Sequence, residues 1–259
     1  MNSKVKKDIY IAVEQKEAIV DFLTKKTGME WYMFRRAGEI TSAVKPYFME
    51  MIKGFNEAKI SFDSHDEYIN TCECCIQRFG KKVRLTFNFT EEEFELMKKT
   101  AEENSFINLV DFMVTILYAL VMQNKTYEIS LKDFANFFFN RNLQVQVTIP
   151  FEIMEKLKQT DFKYNQQTYF RKVLFWQIYF GKTNPIRYEQ EEYFRITPQK
   201  TGWFKSLIQC SDIIKNYARN KNLGSTENVA ILNTLNTYLD QTLSDVNANN
   251  SVPEEVLNG

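Results

Sequence analysis

Between residues 82 and 89 apolar and polar side chains alternate: Val83, Leu85, Phe87 and Phe89 take every second position, with Arg84, Thr86 and Asn88 between them. A period of two predicts a strand with one buried and one wet face. Thr90-Glu-Glu-Glu93 follows as a capping box: the Thr90 hydroxyl can accept from the third helical N–H and Glu93 can reach back to the cap. The helix that starts there carries Phe94, Met97 and Ala101 on one face and is expected to stop near Asn104-Ser105. Phe106–Met122 is then apolar on almost every side, the signature of a helix buried at the centre of a small fold.

The same order returns between Leu143 and Phe180. Leu143, Val145, Val147 and Ile149 alternate with Gln144, Gln146 and Thr148, and Pro150 sits where a helix tolerates it, at its first position. Ile153, Met154 and Leu157 stripe a first helix, Asp161–Asn165 is the turn, and Gln166–Phe180 is a second helix ended by Gly181. Ser130-Leu-Lys-Asp133 caps an extra helix through Phe139. Weaker versions flank these two. Ile9, Ile11 and Val13 alternate with Tyr10 and Ala12 ahead of a helix bearing Ile19, Phe22 and Leu23 and ending at Gly28, although Met29–Val44 carries little pattern. Tyr193–Pro198 precedes a long helix near Trp203–Asn220, a turn at Leu223-Gly224 and a capped helix from Ser225 to about Leu243.

The expected fold is mostly α with short β-ribbons, built from tandem strand-helix-helix units. Its divisions are an N-terminal strand-helix region at 1–80 that reads as a divergent copy, a unit at 81–125, a helical connector at 126–141, a second unit at 142–182, a C-terminal helical region at 183–244 that reads as another divergent copy, and a disordered acidic tail at 245–259. A lone unit of this kind can bury neither its strand edge nor its apolar second helix, so copies are expected to pair. The expected pairing joins 82–122 to 143–180, with the flanking copies forming a second ribbon.

Composition narrows the function. Only 8 Gly and 5 Pro occur in 259 residues, and neither G-x-G-x-x-G nor G-x-x-x-x-G-K-[ST] is present, which weighs against nucleotide cofactors. One histidine, His65, excludes metal hydrolases that need two. No cofactor is expected, and the chain is not expected to be an enzyme. Four cysteines, three of them crowded at Cys72, Cys74 and Cys75, do not form a secreted disulfide framework, and charges interrupt the only N-terminal stretch that a secretory signal could use. The chain reads as reduced and cytoplasmic, without a membrane partner. Net charge is zero from 33 basic and 33 acidic residues, but it is unevenly spread, and residues 126–188 carry an excess of basic residues.

The stretch Val83–Val121 resembles the ribbon-helix-helix DNA-binding proteins of the Arc repressor type, through its alternating strand Arg84–Phe89, its acidic amphipathic first helix and its apolar second helix. The resemblance covers about 40 residues of each clear copy. It implies an antiparallel two-stranded ribbon whose outward side chains enter the major groove. The positions it assigns to base reading are Arg84, Thr86 and Asn88, with Gln144, Gln146 and Thr148 in the second copy. Their chemistry suits the task, since Arg can bond guanine O6 and N7 together, Asn and Gln can do the same with adenine, and Thr can touch a thymine methyl. The resemblance also implies phosphate binding at second-helix starts, here Ser105, Asn108, Asn165 and Thr168. The family's usual Gly and small hydroxyl residue are absent at Ser105-Phe106-Ile107. Basic residues ahead of the strands, Lys6 and Lys7, Lys81 and Lys82, and Arg141, could reach further phosphates.

Each feature also has a plainer account. The six outward positions could be only the wet face of a sheet. His65 with Cys72, Cys74 and Cys75 has zinc-binding residue types, but C-x-C-C lacks the loop of C-x-x-C, which favours ordinary thiols. Phe137–Phe139 and Trp31-Tyr32 could stack on single-stranded bases but more often belong to a core. The expectation is a non-catalytic protein that reads duplex DNA, as a transcriptional repressor or an accessory factor of a plasmid, phage or conjugative element, alone or as a homodimer. The alternative is a helical adaptor for a protein partner.

Overall fold

The alternation at residues 82–90 is realised as a strand, and its partner is the start of the chain. The computed structural model describes residues 4–72, 81–104, 106, 108–139, 144–149, 151–159, 166–181, 204–209, 216–217, 219–221 and 227–250. The chain divides into two units, Met1–Asn140 and Arg141–Gly259. The first runs β1 (Lys4–Ala12), α1 (Val13–Thr27), a 3-10 turn (Trp31–Phe34), α2 (Ala37–Lys53), β2 (Lys59–Phe62), α3 (His65–Cys72), β3 (Lys82–Thr90), α4 (Glu91–Glu103), α5 (Leu109–Val121), β4 (Tyr127–Ser130) and α6 (Leu131–Phe139). This is one series, strand-helix-helix-strand-helix, traversed twice. Each strand pairs antiparallel with its counterpart, β1 with β3 and β2 with β4.

Burial explains the arrangement. Ile9 and Ile11 of β1 and Leu85, Phe87 and Phe89 of β3 are almost fully buried on one side of the ribbon. A two-stranded ribbon is marginal alone in water and must cover that side. Helix α2 packs on β3, and α5 packs on α1 and α2. Phe48 of α2 lies 5.4 Å from Phe87 and 6.1 Å from Phe89, centroid to centroid. Helix α5 is buried continuously from Phe112 to Leu120, as its all-round apolar sequence requires. Local signals set the boundaries. Gly28 ends α1 at φ 69°, a left-handed position that glycine takes without steric cost, and its N–H bonds the Thr24 carbonyl at 3.0 Å. At the start of α4 the Glu93 N–H donates to Thr90 Oγ1 at 3.2 Å, and the Thr90 N–H donates to Glu93 Oε2 at 2.7 Å.

In the second unit the described elements are β5 (Gln144–Ile149), α7 (Phe151–Gln159), α8 (Gln166–Phe180), β6 (Phe204–Gln209) and α9 (Glu227–Asn250). Strands β5 and β6 pair antiparallel, and α9 packs on α7, α8 and β5. Ile153, Val173 and Phe175 are buried there, as are Ile231, Leu235 and Leu239 of α9. Lys156 Nζ donates to Asn236 Oδ1 at 2.7 Å and to Asp240 Oδ1 at 2.5 Å, which ties α7 to α9.

The molecule is mostly helical with short β-ribbons, but the ribbons join different segments from those expected. The segment 82–90 pairs with 4–12, and 144–149 pairs with 204–209, so the two clearest copies do not share a ribbon. Position 144–149 instead takes a partner from its own unit. The C-terminal strand lies at Phe204–Gln209, inside the helix expected at Trp203–Asn220, because Phe204, Ser206 and Ile208 fall opposite the β5 residues Ile149, Val147 and Val145. The strand expected at 193–198 lies outside the described residues. The connector at 126–141 is not purely helical, since Tyr127–Ser130 pairs with β2; Ser130 does cap α6, accepting from the Asp133 N–H at 3.0 Å. Residues 245–250, expected in a disordered tail, continue α9, while 251–259 lie outside the described residues.

The two faces of the ribbon should respond differently to truncation. Phe87→Ala is expected to cost about 3–5 kcal/mol, while Asn88→Ala on the exposed side should stay within about 0.5 kcal/mol. Chemical denaturation checks both, and a Phe87→Ala loss below about 1 kcal/mol would contradict the packing.

Candidate nucleic-acid interface

The register of β1 with β3 assembles one polar face. It sets Lys4 opposite Thr90, Lys6 opposite Asn88, Asp8 opposite Thr86 and Tyr10 opposite Arg84, and the face ends at Lys82, whose partner Ala12 is buried. Cross-strand partners point the same way, and these are the positions left over when the apolar set turns inward. Lys4, Lys6, Asp8, Tyr10, Lys82, Arg84 and Asn88 are exposed, and Tyr10 is 51% exposed despite its ring. Asp8 and Thr86 are the middle residues of two nine-residue strands, so they mark the centre of the face.

A cross-strand bond network occupies that centre. The Asp8 carboxylate accepts from Thr86 Oγ1 at 2.6 Å and forms an ion pair with the Arg84 guanidinium. The Arg84 and Thr86 bonds hold the Asp8 carboxyl below the usual carboxylate range, and Asp8 in turn raises the Arg84 pKa. The acid is therefore ionised and the pair intact throughout the neutral range. On this face the basic residues Lys4, Lys6, Lys82 and Arg84 surround a single acid. The acidic first turn of α4 is partly neutralised elsewhere, since Glu93 pairs with Lys45 of α2 at 2.6 Å.

Arg84, Thr86 and Asn88 thus share one face with each other and with Lys4, Lys6, Asp8 and Tyr10 of β1. Lys6 and Lys7, expected in an arm ahead of the strand, stand within it, and Lys4, Asp8 and Tyr10 join the face beyond the residues expected there. The signal was present: Lys4-Val5-Lys6 at the start of β1 is repeated as Lys82-Val83-Arg84 at the start of β3. Lys81 and Lys82 lie exposed at the start of β3, where the Lys81 carbonyl accepts from the Val13 N–H at 3.1 Å. Asn108 is exposed, but its Oδ1 already accepts from the Val110 N–H at 2.9 Å, so it serves as the cap of α5. In the second ribbon Gln144, Gln146 and Thr148 occupy register positions opposite Gln209, Leu207 and Lys205. Thr168 falls in the first turn of α8, and Ser105, Arg141 and Asn165 lie outside the described residues.

Among the described residues no group of three or more His, Cys, Asp or Glu side chains is placed to hold a metal ion. Burial lowers the His65 pKa, Cys72 ends α3, and Cys74 and Cys75 lie outside the described residues. Also among the described residues, no helix is long and apolar enough to cross a membrane. Phe137 and Phe138 are core, whereas Trp31 and Tyr32 are 58% and 49% exposed, with the Arg35 guanidinium 5.2 Å from the Trp31 ring centroid. Comparison of the chain with protein-family models, with curated proteins and with solved structures finds no match.

The Asp8 network is open to a direct check by carboxyl NMR titration. The Asp8 carboxyl should titrate below the ordinary Asp range in the native protein and move upward in Arg84→Ala, so that the pair is lost only as pH falls through the lowered value. An unchanged Asp8 titration in Arg84→Ala would show that the pair does not form in solution.

Proposed function

We propose that the protein binds duplex DNA without catalysis, with the β1–β3 ribbon entering the major groove. In this reading β1-α1-α2 and β3-α4-α5 are the two halves of one ribbon-helix-helix unit within a single chain. Strands β5 and β6, with α7, α8 and α9, supply a second. The observation that carries the reading is the outward ribbon face. It is exposed, carries four basic residues to one acid, and presents Arg, Asn, Thr and Lys at alternate positions on two adjacent strands. A ribbon of two strands fits the width of the major groove, and these side chains have the donor and acceptor sets that distinguish base edges there. Local placement of charge also answers the zero net charge, because a binding footprint depends on one face and not on the whole chain.

The role that follows is a repressor or an accessory factor of a plasmid, phage or conjugative element; this step rests on the family resemblance alone. With two ribbons in one chain, two adjacent sites could be engaged at once, with a gain from effective concentration. A second reading is favoured by a different feature. Met29, Trp31, Tyr32 and Met33, between α1 and α2, are each about half exposed, as expected of a surface that takes a protein partner.

Salt separates the two. Binding to mixed-sequence duplex should weaken steeply as salt rises, with a log–log slope of about −0.9 per phosphate neutralised. Arg84→Glu should lower affinity for a selected site by about tenfold or more. Equal binding by Arg84→Glu and the native chain at low salt would remove the ribbon as the reading element. Absence of any salt-dependent duplex binding would leave the adaptor reading.

A further inference from the structure

We infer that the first ribbon reads a non-palindromic DNA element in one fixed orientation, an inference that rests on the duplex-binding reading above. A ribbon made by two identical chains presents the same residues on both halves and matches a palindrome, because operator symmetry mirrors protein symmetry. Here both strands come from one chain and have diverged at their outward positions. Traversed from its own start, β1 presents Lys6, Asp8 and Tyr10, and β3 presents Arg84, Thr86 and Asn88.

Antiparallel pairing turns this divergence into two unlike halves. On one side of the centre Lys6 lies opposite Asn88, a point charge beside an amide. On the other Tyr10 lies opposite Arg84, an exposed phenol ring beside a planar guanidinium. Arg can engage guanine O6 and N7 together and Asn can engage adenine N6 and N7 together, so the halves prefer different bases. Lys supplies only a charge with rotatable donors and is not equivalent to Arg at a bidentate site.

The centre is asymmetric as well. Asp8 faces Thr86, and its carboxylate is bonded to Thr86 and Arg84, towards the Tyr10 end of the face. A carboxylate at this point accepts from cytosine N4 and repels phosphate, whereas a threonine packs its methyl on a thymine methyl and uses its hydroxyl to donate to or accept from a polar edge. Asp8 therefore distinguishes the two strands of the DNA at the centre of the element. It also positions Arg84, whose guanidinium has no counterpart on β1 beyond the Lys6 ammonium.

The experiment is selection of sites from a random duplex library by the full chain, followed by the same selection with the outward set of β1 converted to that of β3 (Lys6→Arg, Asp8→Thr and Tyr10→Asn). All three positions are exposed, and circular dichroism verifies that the variant folds. The element read by the first ribbon is the one lost from the selection with Arg84→Glu. For the native chain that element should lack inverted-repeat symmetry, and replacing one half with the inverted copy of the other should cost about tenfold or more in affinity. For the triple variant it should become an inverted repeat. A palindromic native element, or an element unchanged in the folded triple variant, overturns this inference while leaving DNA binding in place. If the variant does not fold, the half-inversion measurement on the native chain decides alone, and equal affinity for both sites overturns the inference. Failure of the native chain to enrich any duplex removes the DNA-binding reading itself and this inference with it.

Discussion

The pairing of β1 with β3 is the constraint on which the first unit depends. It brings Ile9 and Ile11 beside Leu85, Phe87 and Phe89, giving α2 and α5 an apolar surface to cover. Without it, α5 would expose a helix that is apolar on every side, and neither strand would have a partner for its backbone groups. The same pairing has a second effect, because strands alternate. Whatever turns the apolar set inward turns Lys6, Asp8, Tyr10, Arg84, Thr86 and Asn88 outward together. Core and candidate interface are therefore two sides of one register, and a shift of one residue would exchange them.

Charge becomes informative only once this register is known. Over the whole chain basic and acidic residues cancel. On the ribbon they do not, and the one acid present is bonded to the arginine and threonine across from it. If the face binds DNA as proposed, an ionised carboxylate in its middle would reduce indiscriminate attraction to phosphate and hold Arg84 in place, trading affinity for discrimination.

Much of this was legible in the sequence, in proportion to how strongly each segment alternates. Strand β3 and the α4 capping box stand out because Val83, Leu85, Phe87 and Phe89 are unbroken and Thr90 is followed by Glu93. Strand β1 is harder to read because Lys7 takes an inward position that is only half buried, which hides the period in its first half. Its partner is illegible for a different reason: periodicity identifies a strand and its faces but carries no information about which other strand completes the ladder. The β2–β4 pair leaves no pattern in the sequence because four-residue strands are too short to show a period. On the candidate interface, the outward residues of β3 could be named from alternation alone. Asp8 could not, since its place at the centre arises from a residue 78 positions away in sequence.

Amide chemical-shift mapping during a duplex titration measures directly whether duplex DNA binds through the β1–β3 ribbon. Binding through the ribbon predicts that the largest changes fall on Lys6, Asp8, Tyr10, Arg84, Thr86 and Asn88 and their neighbours along the two strands, with α5 silent. Saturable duplex binding that leaves these strands unshifted and instead perturbs residues remote from the ribbon, such as those between α1 and α2, would contradict it.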